Sequence, residues 1–276
     1  MRKKILTLLA AFLALNVMAE DGRKLTIIHT NDTHSCVMPI STNVSDTAIA
    51  GRGGFLRRIT MLKEEHAKDP DLLYFDSGDF SQGSAYFTLF QGEVEVQLMN
   101  LMKPDAVAMG NHEWDAGMEG MAKFIKMAAF PVICSNIDFT GTVLEGLIKP
   151  YVIIQRKGMK IGVFALSPPL ADLVDKSIYG DVKFTDAARC AAETATMLKE
   201  KEHCDMVICL SHLGWDEEGD MPMIRSSRNI DLVLGGHSHT LFKNIEYVTD
   251  ADGKEVPVNQ NGKSAVYVGK IIMNIE

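Results

Sequence analysis

Five times along this chain an apolar, strand-like run stops in a cluster of polar residues, and segments of helical periodicity lie between the runs. The first run, KLTIIHT (24–30), leads directly into NDTH. DLLYFDSGD (71–79), DAVAMGN (105–111), DMVICLSHL (205–213) and IDLVLGGHSH (230–239) end in the same way. Between or beside them, GFLRRITMLKEEHAK (54–68), EVEVQLMNLMK (93–103), MEGMAKFIKMAA (118–129), roughly residues 185–202 and the short MPMIRSS (221–227) read as helices. PVICSNI (131–137) and SAVYVGKIIMNIE (264–276) read as further strands, and YVIIQRKGMKIGVFALS (151–167) as a hairpin turning at Lys157-Gly158. Repeated β–α–β order predicts an α/β fold with a parallel-rich sheet covered by helices. In such folds ligands gather outside the carboxyl ends of the strands, which is where all of the polar clusters fall. Residues 38–50 read as a polar surface loop, and neither internal repeat nor low-complexity segment interrupts the pattern.

The chain opens with MRKKILTLLAAFLALNVMA (1–19). Arg2, Lys3 and Lys4 precede an apolar stretch, Ile5 to Leu15, that is short for a bilayer span. Val17 and Ala19 then supply the small residues of a secretory cleavage site before Glu20. The expectation is an exported protein, periplasmic or extracellular, with an uncleaved anchor as the alternative. Residues 20–276 are then one domain large enough to hold a core. The net charge of −8 argues against nucleic acid as a partner. Handling phosphate would need local positive charge, which a metal ion supplies. The five cysteines are odd in number and show no CxxC spacing. Cys134 and Cys209 sit in apolar runs and read as buried small hydrophobes. No disulfide framework is expected; Cys190–Cys204 is the one bond left open.

The strand-end clusters hold Asp32 and His34, then Asp76 and Asp79, then Asn111, His112 and Asp115, then His212, and last His237 and His239. Asp, Asn and His together suit divalent ions such as zinc, manganese or iron. No cysteine takes part, which argues against a closed structural zinc site. Asp32/His34 and His237/His239 are each two apart, so in extended backbone each pair shares a face. Thr33 and Ser238 between them are small, and Gly235 and Gly236 permit close backbone approach. Seven potential ligands exceed one tetrahedral site. Two ions sharing a carboxylate is the economical arrangement; such ions, about 3.5–4 Å apart, activate a water and clamp a displacement at phosphorus. Asp76 reads as a structural hydrogen-bonding group and Glu113 as a helix cap. Arg52, Arg57 and Arg58 read as a solvated helix face in preference to a phosphate contact, and His29 and His66 as ordinary.

D-x-H, G-D, G-N-H-E, a lone His and G-H-x-H, in that order, resemble the motifs of calcineurin-like metallophosphoesterases. HTNDTH, GNHEWD and GGHSHT are similar to the 5′-nucleotidase and UDP-sugar hydrolase branch. The resemblance implies an α/β sandwich of two mixed β-sheets flanked by helices (α-β-β-α). It implies one ion held by Asp32, His34, Asp79 and His239 and a second by Asp79, Asn111, His212 and His237, with zinc or manganese the favoured metals. It also implies a catalytic pair, His112 oriented by Asp115. The implied activity is hydrolysis of phosphomonoesters such as nucleoside 5′-monophosphates. Alternatives are a 2′,3′-cyclic phosphodiesterase/3′-nucleotidase, a UDP-sugar hydrolase, a thiosulfohydrolase-like esterase, or a metal-binding subunit inactive without a partner; the intact His112–Asp115 pair speaks for an enzyme. The resemblance implies a second domain that grips the nucleoside, and this chain is expected to lack it. Either a separately encoded C-terminal nucleotidase-domain protein is the expected partner or the domain acts alone with loose specificity; no membrane association is expected after signal cleavage.

Overall fold

The computed structural model describes residues 24–171 and 173–275. The signal peptide expected over 1–19 lies outside the described residues. In chain order come β1 (Lys24–Thr30), α1 (Phe55–Lys68), β2 (Leu73–Asp76), α2 (Ala85–Phe90), α3 (Glu93–Met102) and β3 (Ala106–Ala108). A single 3₁₀ turn (His112–Ala116) leads into α4 (Gly117–Met127), β4 (Val132–Ile133), β5 (Ile137–Asp138), β6 (Tyr151–Arg156) and β7 (Met159–Leu166). Next are α5 (Lys176–Tyr179), β8 (Lys183–Phe184), α6 (Ala187–Glu200), β9 (Met206–Ser211), α7 (Asp220–Ser226) and β10 (Leu232–Leu234). The final strands are β11 (Glu246–Thr249), β12 (Glu255–Asn259) and β13 (Gly269–Asn274).

The helices cover two mixed sheets, each parallel-rich as β–α–β order suggests. One has the order β13-β1-β2-β3-β4, the other β11-β12-β10-β9-β7-β6, and β5 pairs with β8 in a small ribbon. In the first, only β13 runs antiparallel, against β1. In the second, β7, β9, β10 and β12 are parallel, with β6 and β11 antiparallel at the edges. Alternation along each strand builds the layers. Leu25, Ile27, Leu73 and Phe75 meet Ile161, Val163, Ile208 and Leu210 between the sheets. Their neighbours Ile28, Leu72 and Tyr74 face the other way, onto α1, α3 and α4. Val207 and Cys209 likewise turn outward onto α6 and α7. The result is the α-β-β-α sandwich.

The Lys157-Gly158 turn is as expected, with φ of 51° and 81°, the two positive values of a type I′ hairpin turn. All five cysteines are unbonded, Cys190 and Cys204 included. Several runs are shorter as strands than their apolar patterns suggest. PVICSNI splits because Ser135 N–H donates to the Ala165 carbonyl and Asn136 clamps both backbone groups of Ser167, which carries the chain from one sheet to the other. Only Gly269–Asn274 of the closing run pairs with β1, since the Ser264 N–H is already committed to the Asp32 carbonyl. Arg58 corrects the reading of a solvated helix face: it is 4% exposed, with its guanidinium over the Phe55 ring and 3.8 Å from Asp76. Arg52 and Arg57 are exposed, as expected. No helix among the described residues is long and apolar enough to cross a membrane.

Candidate metal centre

All seven residues expected as ligands follow strands at the carboxyl ends of the two sheets, and the ligand atoms of six of them, all but Asn111, converge in clusters. Asp32 and His34 follow β1, Asp79 follows β2 and Asn111 follows β3, all in the first sheet. His212 follows β9, and His237 and His239 follow β10, in the second. Their ligand atoms form two clusters of metal-binding span, Asp32/His34/His239 and Asp79/His212/His237. In the first, His34 Nε2 and His239 Nε2 are 2.9 Å apart, and Asp32 Oδ1 is 3.4 Å from His239. In the second, His212 Nε2 is 3.0 Å from Asp79 Oδ2. A third grouping, His34/Asp79/His112, links Asp79 to both sides.

The backbone produces this convergence differently from the extended geometry expected. Asp32, His34, Asp79, His237 and His239 all have positive φ, from 42° to 71°. For residues with a Cβ this region costs on the order of 1–3 kcal/mol each and persists only where surroundings enforce it. The enforcement is visible as hydrogen bonds. Asn31 Nδ2 donates to Asp32 Oδ2 and to the Gly262 carbonyl. The His237 N–H donates to the Asp32 carboxylate at 3.0 Å, tying the two sheets' loops together. Gln260 accepts from the Ser238 hydroxyl and the Thr240 N–H and donates to the Gly236 carbonyl, bracing the GGHSHT loop. Gln260 was missed in the sequence; the polar end of β12, VNQN, was the available signal.

Glycines leave room for the ligands. A Cβ on Gly110 would lie 2.1 Å from Asp79 Oδ1 and 2.7 Å from His212 Nε2, so Gly110 serves close approach more than a turn. A Cβ on Gly236 would lie 2.8 Å from His212 Nδ1, as the sequence reading expected of that pair.

The GNHEWD stretch forms the 3₁₀ turn, and each residue has a distinct place. His112 Nδ1 is 2.7 Å from Asp115 Oδ2. A carboxylate only accepts, so Nδ1 carries the proton and Nε2 is the ring's other exchanging atom. The His112 N–H donates to Asp79 Oδ1. Glu113 is no helix cap: its buried carboxylate accepts from the N–H groups of Gly110 (2.7 Å), Asp79 (3.0 Å) and Ser81 (3.1 Å). It thereby fixes the strained turn that presents Asp79, a role the sequence reading missed. Burial, with Asp79 adding to it, raises the Glu113 carboxyl to about 7. Trp114 is fully buried and stacks on Phe139, anchoring the turn. Asp76 acts as expected, accepting from the Thr30 hydroxyl and the Gly78 N–H.

The electrostatics favour a cation. Burial opposes charge on His212, but Asp79 and Asp32 outweigh it and raise the ring to about 10. The field that would hold a proton there is the field that would hold a metal ion. His34 is lowered to about 4, by burial first, against the pull of Asp79 and Asp32; it stays neutral, the form in which imidazole ligates metal. The His212 Nδ1–H donates to the Ser77 carbonyl at 2.7 Å, which orients Nε2 toward Asp79 as a metal ligand needs. Asn111 is 5% exposed, yet its Oδ1 has no hydrogen-bond partner. Leaving a buried amide oxygen unpaired costs roughly 1–3 kcal/mol, which a metal bond would remove. The donor set thus fits a dinuclear centre. Asp32 and His212 are fully buried, whereas the His112, Asp115 and His239 side chains are 33%, 31% and 36% exposed, which leaves an approach from solvent.

Among curated relatives, human 5′-nucleotidase is 32% identical, the match covering 95% of this chain and 48% of that protein. The structure of the 5′-nucleotidase precursor from Thermus thermophilus superposes with a TM-score of 0.82 at 30% identity, covering 92% of this chain and 52% of that one. The NAD nucleotidase of Haemophilus influenzae gives 0.79 at 28%, covering 91% and 47%. The chain thus spans about half the length of these relatives. Residues 25–241 match the calcineurin-like phosphoesterases, an interval that runs from β1 through the GGHSHT loop and so contains every strand end that carries a candidate ligand. The chain belongs to the calcineurin-like phosphoesterase family.

Proposed function

We propose that this chain is a dimetal phosphohydrolase that cleaves phosphomonoesters, with nucleoside 5′-monophosphates as its substrate class. The observation that carries the reading is the pair of carboxylate–histidine clusters set beside an oriented His112–Asp115 pair. In this reading Asp32, His34, Asp79 and His239 hold one divalent ion, and Asp79, Asn111, His212 and His237 the other. Zinc and manganese both suit these donors. Bound there, the ions supply Lewis acidity and activate water as a nucleophile. The protein's own groups do the rest. Asn111 offers a neutral oxygen, so it adds no negative charge where a phosphate arrives. Asp115 holds the His112 ring by Nδ1, leaving Nε2 to deliver a proton to the departing oxygen. The nucleotide assignment is supported by the 5′-nucleotidases and the NAD nucleotidase among the similar proteins. Export is supported by the composition of residues 1–19.

The test is a substrate panel on protein of measured metal content: p-nitrophenyl phosphate, AMP, 2′,3′-cyclic AMP and UDP-glucose. Hydrolysis of p-nitrophenyl phosphate and AMP, abolished by chelation and restored by zinc or manganese, is expected. Folded, metal-loaded protein inert toward the whole panel would sink the enzyme reading and favour a binding subunit.

A further inference from the structure

Asp220 is the first residue of α7, and neither the motifs nor the hydrolase reading gives it a task. Its side chain is fully buried. Oδ1 accepts from the Ser211 hydroxyl at 2.5 Å, and Oδ2 has no hydrogen-bond partner among the described residues. A buried carboxylate with one oxygen unpaired is costly, and an apolar side chain would fill the same space without that cost. Packing alone therefore does not account for it.

The contacts of Asp220 all lead to the second cluster of candidate ligands. Ser211 ends β9 and directly precedes His212. The same hydroxyl accepts from the Leu213 N–H at 3.3 Å, so it joins the backbone on both sides of His212. His212 is thus held twice, its ring by the Ser77 carbonyl and its backbone by Ser211 under the grip of Asp220. The Asp220 N–H donates to the Gly214 carbonyl at 2.8 Å, which closes the loop 214–220. Gly214 lies against the His237 ring: a Cβ there would be 3.4 Å from His237 Cδ2. On the other side Gly235, two residues before His237, packs on the carboxylate, and a Cβ there would be 3.2 Å from Asp220 Oδ2. Among the described residues the Asp220 side chain forms no hydrogen bond or ion pair with Asp32, His34 or His239. That cluster has its own brace in Asn31, which donates to Asp32.

We infer that Asp220 is a positioning residue for the Asp79/His212/His237 cluster. Through Ser211 it fixes the backbone that carries His212, and through Gly214 and Gly235 it fixes the approach of His237. It touches neither ion nor substrate. This role presupposes the dinuclear centre proposed above, and it gives the two ion sites separate supports, one of them in α7. Outer groups that orient metal ligands are worth about 10–100-fold in metal affinity.

The test is titration of zinc into the full, metal-free chain against a chromophoric chelator, with folding followed by circular dichroism. The unaltered chain is expected to bind two ions. Asp220→Ala should bind one of them as before and the other about 10–100-fold more weakly. Cobalt in place of zinc identifies the weakened site: Asp220→Ala should give the visible spectrum of His237→Ala and not that of His34→Ala. Asp220→Asn keeps an oxygen for Ser211 in the same space and should restore the lost affinity. Ser211→Ala breaks the same hydrogen bond from the other side, so it should reproduce the deficit, and the double variant should add little to either. Ser211→Ala alone decides the matter if Asp220→Ala does not fold. Asp220→Ala or Ser211→Ala with both ions unaffected, or with both weakened alike, overturns the role of Asp220. So does an Asp220→Asn variant as defective as Asp220→Ala, since charge and not position would then be at work. An unaltered chain that binds fewer than two ions overturns the dinuclear reading as well, which tells the two failures apart.

Discussion

At the scale of single residues, the proposed reading assigns proton chemistry to the His112–Asp115 pair and metal binding to the carboxylates around it, and the two can be tested apart. His112→Ala is expected to retain two ions by metal analysis while losing on the order of 10²–10⁴ in turnover, the range for an acid–base group. Fewer than two ions in that variant would make His112 a ligand and contradict its role as proton donor. The pH dependence follows from the cause of the His112 shift. Its pKa is raised, chiefly by the hydrogen bond to Asp115, with burial pulling against it. A ring that donates a proton is active below its pKa and loses activity as pH rises through it. Asp115→Asn removes the main raising influence, so the alkaline limb of the kcat profile should move to lower pH. An unmoved limb would mean that another group sets it. Glu113 gives a contrasting case. Its carboxylate accepts only backbone N–H groups and the Ser81 hydroxyl, so Glu113→Gln should weaken metal binding measured by titration, before any effect on protonation.

At the scale of elements, the ends of short strands matter more than their lengths. β3 has three residues and β4 two, yet each is held in register by parallel neighbours and buried on both faces. What β3 delivers is Gly110 and the 3₁₀ turn. Gly110→Ala would press a methyl group into the space of the Asp79 carboxylate. Circular dichroism should be nearly unchanged while metal stoichiometry falls; a variant that holds two ions would refute the close-approach account. Trp114, buried against Phe139 and Tyr179, carries the packing of the same turn. Trp114→Ala is expected to destabilise the fold by about 3–5 kcal/mol, the range for deleting a buried aromatic ring, as read from denaturant unfolding.

At the scale of the whole molecule, the candidate centre is a seam. Four of its ligands come from the first sheet and three from the second, and the His237–Asp32 hydrogen bond already joins the two sides. Ions bound across the seam would favour the folded state by mass action, by about 3–4 kcal/mol at free metal 100 to 1,000 times Kd. Chelation should therefore lower Tm by roughly 5–15 °C for a domain of this size. A chelator that leaves Tm untouched would place the ions outside the seam.

The strands, their covering helices and the polar strand ends were legible along the chain because each rests on local pattern; the two-sheet layering and the assignment of candidate ligands came from the motif resemblance. Continuous apolar runs mark strands that are buried on both faces, 3.6-residue periodicity marks their covering helices, and Asp, Asn and His at strand ends suit metal chemistry wherever those ends meet. The extended backbone inferred for D-x-H and H-x-H was wrong for a physical reason. The positive φ values of these residues are held by Asn31, Gln260 and the other sheet, and none of those partners lies within the periodicity that a local pattern reads. Glu113 reads as a helix cap and Arg58 as part of a solvated helix face for the same reason. Burial belongs to the packed assembly, and only tertiary contacts turned Glu113 into the brace of Asp79 and set the buried Arg58 guanidinium over Phe55 beside Asp76. The sequence alone determined which groups reach the carboxyl ends of the strands; the folding of two sheets against each other decided their geometry, because that is where water is excluded and unpaired charge becomes costly.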